Sequence, residues 1–465
     1  MSVLKSNTHS SLQRTRKRDY SVFGLSALLL LCGCYQMANS GGFEDSASVS
    51  AFLIGALVAC CGYALSWTCS KCWGAAMLLI ALVARMIMLP MGSGTEFERL
   101  VWDSETLQIG LNPYEEAPVL GRFGTPDEVE WEDMEFSAQS TRFSPLMLWL
   151  CNILGFEDGS LQWAKFVFII LDMSLCLALF IRFGAAATSQ YAWSPLAIMS
   201  VGGMANSDIL FLFPMGLGLV LWSQWVEKSG GGSMINSKGG IGGGVGQIVC
   251  FVAFLLGVSV ALNLLMIPVL VWLVLWVLRK AGLKAGLIAL VVGAAPLVLS
   301  FLWLSITLEE HAATFIPIKF ALKVELFSFL PSIIDWMAGY WLHANSVVFV
   351  ALVCFAVYAL VVNGSIGRMG TIYISTVIML SPLIQPWYFL WLAPFAIVMG
   401  HYGLRVASVF AFVCFLPLRS ELTLLTEIEL SLFESWMLWA PFVFCSIWFT
   451  IKNPARTSGF YVRSF

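Results

Sequence analysis

Glu96, Arg99 and Asp103 lie in the run T-E-F-E-R-L-V-W-D, at spacings of three, four and seven residues. A helix from Thr95 to Ile109 would put all three on one face and leave Leu100 and Leu107 to pack on another. One guanidinium flanked by two carboxylates suits a phosphate-bearing substrate and a nucleophile that must lose a proton. An ordinary surface helix with salt bridges gives the same pattern. Thr95 and Glu98 fit a capping box, which gives Glu98 a structural task and leaves Glu96 as the carboxylate to test. Gly110 is the expected stop.

Two further stretches carry polar groups next to apolar runs. In G-G-M-A-N-S-D, Asn206 and Asp208 stand at the start of an apolar segment. An ionisable residue there faces a cavity or partner, or else Asn206 or Ser207 caps the next helix with Asp208 in its first turn. In S-P-L-I-Q-P-W-Y-F-L-W-L-A-P, Trp387 and Tyr388 either line a pocket or anchor the helix at an interface. The acidic cluster Asp127, Glu128, Glu130, Glu132, Asp133 and Glu135 reads as a solvated face.

The elements that must position these groups are membrane helices. The chain has 465 residues, 59% hydrophobic and only 11% charged, too little charge for a soluble protein. Its apolar runs predict an all-α polytopic membrane protein of about 14 transmembrane helices, at 21–38, 50–66, 73–90, 161–182, 189–202, 208–226, 247–262, 264–278, 285–305, 346–363, 370–385, 387–400, 404–418 and 434–450. Residues 143–156 are too short for an untilted span and read as a surface or re-entrant helix. The divisions are a cytoplasmic tail (1–20), first spans (21–90), a non-cytoplasmic acidic loop with juxtamembrane helices (91–160), central spans (161–305), an amphipathic region (306–345), C-terminal spans (346–450) and a second tail (451–465).

Lys and Arg collect on one side of this frame, which puts both termini in the cytoplasm and the acidic loop opposite. The basic start followed by an apolar run reads as a retained first span rather than a cleaved signal. The glycine-rich stretch 229–247 follows no strand and lacks a G-K-[ST] ending, so it reads as a flexible linker. Cys69 and Cys72 form C-x-x-C without two further ligands nearby, and the four histidines are scattered, so no metal site is expected.

Several blocks together resemble the integral-membrane GT-C fold glycosyltransferases that use polyprenyl-phosphate sugars, most closely the bacterial alpha-mannopyranosyltransferase branch. That branch shows an arginine ending an apolar helix, an acidic residue before Y-R-Y-L-W-D-G, then G-x-N-P-Y. The similar run here is Arg85, then Glu96 to Ser104, then Gly110-Leu111-Asn112-Pro113-Tyr114. The branch's Y-P-P-L matches Phe143 to Leu146, and its A-W-N-P-L and G-N-x-H-N-D match Ala192 to Leu196 and Gly203 to Asp208. Its P-W-Y-x-x-W-x-x-P is intact at Pro386 to Pro394. The family's loop aspartate falls at Glu96, its histidine at Asn206, the preceding asparagine at Met204, and a later lysine at Asn263.

The resemblance implies inverting sugar transfer, with mannose the expected sugar, from a polyprenyl-phosphate donor to a glycan or glycolipid acceptor. The reaction would face the non-cytoplasmic side of a bacterial inner membrane. Glu96 would take the proton of the acceptor hydroxyl, Arg99 or Arg142 would bind the lipid phosphate, and Asp103 would orient Arg99 or contact sugar hydroxyls. Asp208 would close the other side, with Asn206, Trp387 and Tyr388 among the substrate-binding residues and Asn112 and Tyr114 shaping the turn. The scheme requires no cofactor and no metal. Membrane lipids are the expected surroundings, with no nucleic acid and no identified protein partner. A solute or lipid transporter and a non-catalytic binding or assembly subunit are the competing readings.

Overall fold

The computed structural model describes residues 2–41, 43, 45–69, 74–115, 140–156, 161–228, 243–308, 365–381, 384–419 and 430–452. Within them the elements are α1 (Ser2–Ala38), α2 (Ser46–Ser66), α3 (Gly74–Ile87), α4 (Thr95–Gln108), α5 (Pro145–Ile153), α6 (Leu161–Phe183), α7 (Ala185–Ala192), α8 (Pro195–Ile198), α9 (Ile209–Lys228), α10 (Gly243–Leu262), α11 (Ile267–Ala281), α12 (Leu283–Thr307), α13 (Ile366–Leu380), α14 (Ala393–Met399), α15 (Gly403–Phe410) and α16 (Leu432–Lys452). Seven helices among the described residues are long and apolar enough to cross a membrane, and five more apolar helices are shorter. The chain is an all-α, multi-pass membrane protein. The expected span 346–363, the acidic cluster at 127–135 and nearly all of the 306–345 region lie outside the described residues.

Several expected spans are broken where proline or glycine intervenes. The run 189–202 is split: α7 ends at Ala192, and Ser194 caps α8 by accepting the Ala197 N–H at 3.2 Å, with Pro195 in the first turn. A π-helical turn, Met199–Gly203, follows. The run 370–385 ends as helix at Leu380, and 387–400 starts as a 3₁₀ helix, Pro386–Leu392, before α14. α15 likewise passes into 3₁₀ turns. Residues 145–153 form the short helix expected there.

Close helix pairs meet at glycines, because small residues let backbones approach where lipid supplies no hydrophobic drive. A Cβ on Gly33 of α1 would lie 2.3 Å from the Ala59 nitrogen of α2. A Cβ on Gly257 of α10 would lie 2.0 Å from the Gly293 carbonyl oxygen of α12. Neither obstacle is a movable side chain. Gly257→Ala is therefore expected to destabilise the protein by about 1–3 kcal/mol. Gly218→Ala, whose Cβ would first meet a Leu256 methyl at 3.4 Å, is the tolerated control. Thermal melts of the two variants in one detergent would compare them, and equal melting would contradict this packing.

A buried polar network ties α3, α6 and α7 together. Arg85 Nε donates to Asp172 Oδ2, its Nη1 donates to the carbonyls of Ala81 (3.0 Å) and Ala192 (2.9 Å), and Tyr191 donates to Asp172 Oδ1 at 2.5 Å. Lys165 on α6 donates to the carbonyls of Leu89 (3.0 Å) and Met91, so an ammonium caps the end of α3 and fixes the turn leading to α4. These contacts set where the helix carrying Glu96 begins.

Candidate active site

The helix α4 starts differently from the sequence expectation. Its N-cap is Gly94, with no side-chain cap, and Thr95 is its first helical residue, so the Thr95–Glu98 capping box does not form. The Gly94 N–H donates to the Met204 carbonyl at 2.8 Å, pinning the helix entrance to the segment after the π turn. Glu98 instead accepts from the Ser93 hydroxyl at 2.6 Å. Gly110, at φ 81°, ends the element in the left-handed conformation that glycine adopts freely.

Glu96 is buried and collects donors from three distant segments. Its Oε1 accepts from Arg142 Nη2 at 2.6 Å, and its Oε2 accepts from Asn206 Nδ2 at 3.0 Å and from the Trp387 indole N–H at 2.6 Å. Arg142 also donates to Gln385 Oε1 at 3.4 Å. Two hydrogen bonds from neutral groups and one ion pair hold the carboxylate in place. Arg99, expected between two carboxylates, makes its ion pair with Asp103 at 2.9 Å, one helical turn on, while Arg142 supplies the cation bound to Glu96. The two pairs are neighbours, since the Arg142 charge and a Thr141 hydrogen bond both act on Asp103.

Each donor is held in place by its own local structure. Asn112 Oδ1 accepts the Tyr114 N–H at 3.1 Å, an Asx turn in G-L-N-P-Y. The Tyr114 hydroxyl then donates to the Phe143 carbonyl at 3.1 Å, and the Thr141 N–H donates to the Pro113 carbonyl at 2.8 Å. Asn112 and Tyr114 thereby grip the strand of chain bearing Arg142. Asn206 follows Ala205, a non-glycine residue at φ 54°, a left-handed conformation that costs energy and persists because its neighbours are tied down. The ties are Gly94 to Met204 and the Asn206 N–H to the Ser200 carbonyl at 2.9 Å.

Asn206 Oδ1 accepts the Asp208 N–H at 2.8 Å in a turn just ahead of α9, while its amide reaches Glu96; α9 begins at Ile209, so Asp208 precedes the helix instead of lying in its first turn. The Asp208 carboxylate accepts from the Trp391 indole at 2.7 Å. Burial, then the charge of Glu96, push the Asp208 carboxyl well above the ordinary carboxylate range. Three residues per 3₁₀ turn bring Tyr388 and Trp391 face to face, their rings 4.2 Å apart, and align the indoles of Trp387 and Trp391 toward the two carboxylates. Trp391 and Gln385 were missed from the sequence, although both sit in the P-W-Y run or directly before it. Asn263 lies elsewhere, capping the 3₁₀ turn Leu264–Met266.

The Asp208 environment has a measurable consequence. A carboxyl raised in the folded state keeps a proton that the unfolded chain releases, so it subtracts stability as pH rises above its ordinary 3.8. Asp208→Asn keeps an oxygen for Trp391 and removes the carboxyl whose ionisation burial disfavours, so it is expected to melt higher than wild type near pH 7, with the gap closing near pH 4. A gap independent of pH, or a lower melting temperature at neutral pH, would contradict the assignment.

The site thus brings the Glu96 and Asp208 carboxyls together through Asn206 and the Trp387–Trp391 segment, beside the Arg99 and Arg142 guanidiniums. Among the described residues no group of three His, Cys, Asp or Glu side chains gathers to hold a metal ion. Compared with protein-family models, with curated proteins and with solved structures, the chain matches none.

Proposed function

We propose that this protein is a GT-C-type glycosyltransferase that transfers a sugar, mannose in the first instance, from a polyprenyl-phosphate donor to a glycan or glycolipid acceptor. The convergence of Arg142, Asn206 and Trp387 on Glu96, with Asp208 alongside, is the observation that carries this reading. Glu96 takes the proton of the acceptor hydroxyl as that oxygen attacks the anomeric carbon. The carbon–oxygen bond to the phosphate breaks, the lipid phosphate leaves with the electron pair, and the configuration inverts. Arg142, with Arg99 behind it, stabilises the phosphate charge that develops. Burial and the neighbouring Glu96 charge disfavour a second negative charge at Asp208. The reaction faces the non-cytoplasmic side of a bacterial inner membrane, as the distribution of Lys and Arg supports.

A second reading has its own support. Both oxygens of Glu96 are engaged by protein donors, as in a structural keystone of a non-catalytic subunit. The two readings separate when purified protein in proteoliposomes receives polyprenyl-phosphate mannose labelled in the sugar, with a panel of lipid-linked and soluble acceptors. Label bonded to an acceptor, with lipid phosphate released, is the expected result. Label that only crosses the bilayer on intact donor would establish a transporter, and no movement with any sugar or acceptor would leave the keystone reading standing.

A further inference from the structure

A second polar cluster lies far from Glu96. The 3₁₀ segment Pro386–Leu392 and α14 run on from Trp387 to His401, about 24 Å by their rises per residue. There a cavity of ≈ 190 Å³ lies against α13, α16 and His401, lined by Ser375, Ser446 and His401 among apolar side chains including Phe449, Ile447 and Ile451. His401 is 0% exposed, Ser375 3% and Ser446 6%. Among the described residues, none of His401 Nε2, Ser375 Oγ and Ser446 Oγ has a hydrogen-bond partner.

That is unusual on these helices. Thr371, Thr376 and Thr450, which line the same cavity, each return their hydroxyl to the carbonyl four residues earlier. Ser375 and Ser446 do not. The imidazole is fixed in its tautomer: Nδ1 accepts the Gly403 N–H at 3.0 Å, so in the neutral ring the proton sits on Nε2. Burial holds His401 neutral by pushing its pKa down to about 3.

The chemistry of an occupant follows. One fixed donor and two rotatable hydroxyls call for an acceptor. No lining residue is charged, so an anion would enter without a counter-charge, at high cost. Ile447 and Ile451 are 54% and 70% exposed on the outer face of a span, so the cavity borders lipid. Lys452 ends that span with its ammonium 4.8 Å from the Trp448 ring centre, an interfacial anchor at the depth where glycerolipid esters lie. We propose that this cavity binds the ester carbonyl of a membrane acyl lipid, held by His401 Nε2–H with Ser375 and Ser446, and seats the first methylenes of its chain against the isoleucines.

The test uses the full-length protein in nanodiscs of diacyl phosphatidylcholine bearing a diazirine in one acyl chain, compared with the ether-linked analogue that lacks the carbonyl. With the ester lipid, adducts are expected in peptides spanning 371–379 and 446–451. They should fall about fivefold or more with the ether lipid and in the Ser375→Ala/Ser446→Ala variant. That variant removes hydroxyls that have no hydrogen-bond partner among the described residues, and an unchanged melt would show that it folds. Absence of adducts in these peptides, or equal labelling by the ether lipid, would overturn the proposal and leave water as the occupant. Unchanged labelling of a folded double variant would overturn it equally.

Discussion

Asp172→Leu is expected to destabilise the protein by about 3–5 kcal/mol, because it leaves a guanidinium buried without its carboxylate. Arg85 and Asp172 are both fully buried between α3 and α6. Arg85 keeps the Ala81 and Ala192 carbonyls, which satisfy its N–H groups in part and leave its charge uncompensated. Tyr191 loses its acceptor in the same change. Arg85→Met with Asp172→Leu removes both charges and should recover most of the loss, since a well-packed apolar pair often matches a buried ion pair. Melts of the two single variants and the double variant in one detergent form the measurement. Losses that simply add would contradict the coupling.

The effect on the site would be indirect. The end of α3 and the turn fixed by Lys165 deliver the chain to Gly94, so loosening α3 from α6 loosens the start of α4. A folded Asp172→Asn protein should consequently lose turnover through poorer positioning of Glu96.

What the sequence made legible was local. Long apolar runs become membrane helices because period and length suffice to identify them. The Arg99–Asp103 pair is one helical turn apart, and Gly110 ends its helix, both within the reach of spacing rules. The partners of Glu96 were not readable as partners: they lie 46, 110 and 291 residues away, so no periodicity connects them to it. Arg142, Asn206 and Trp387 were each singled out, but for their own surroundings or by resemblance. Trp391 stands in the same run, but its partner Asp208 is 183 residues away, so no local pattern marks it as a site residue. The helix begins at Thr95 as expected, but Gly94, its N–H held by the Met204 carbonyl, takes the N-cap position and leaves Thr95 inside the first turn.

The central claim concerns Glu96 and its proton. Glutamine keeps the size of the side chain and an oxygen for Asn206 or Trp387, but it cannot take a proton from an acceptor hydroxyl. It also leaves Arg142, 13% exposed, without the carboxylate it pairs with, which some access to water makes tolerable. Loss of a positioned general base costs about 10²–10⁴-fold in rate. The most direct measurement compares wild-type and Glu96→Gln protein, matched by thermal melt in the same lipid, for release of lipid phosphate from polyprenyl-phosphate mannose in the presence of acceptor. A folded Glu96→Gln protein that binds donor and turns over at least about a hundredfold more slowly is the predicted result. Equal turnover by the two proteins would contradict the account.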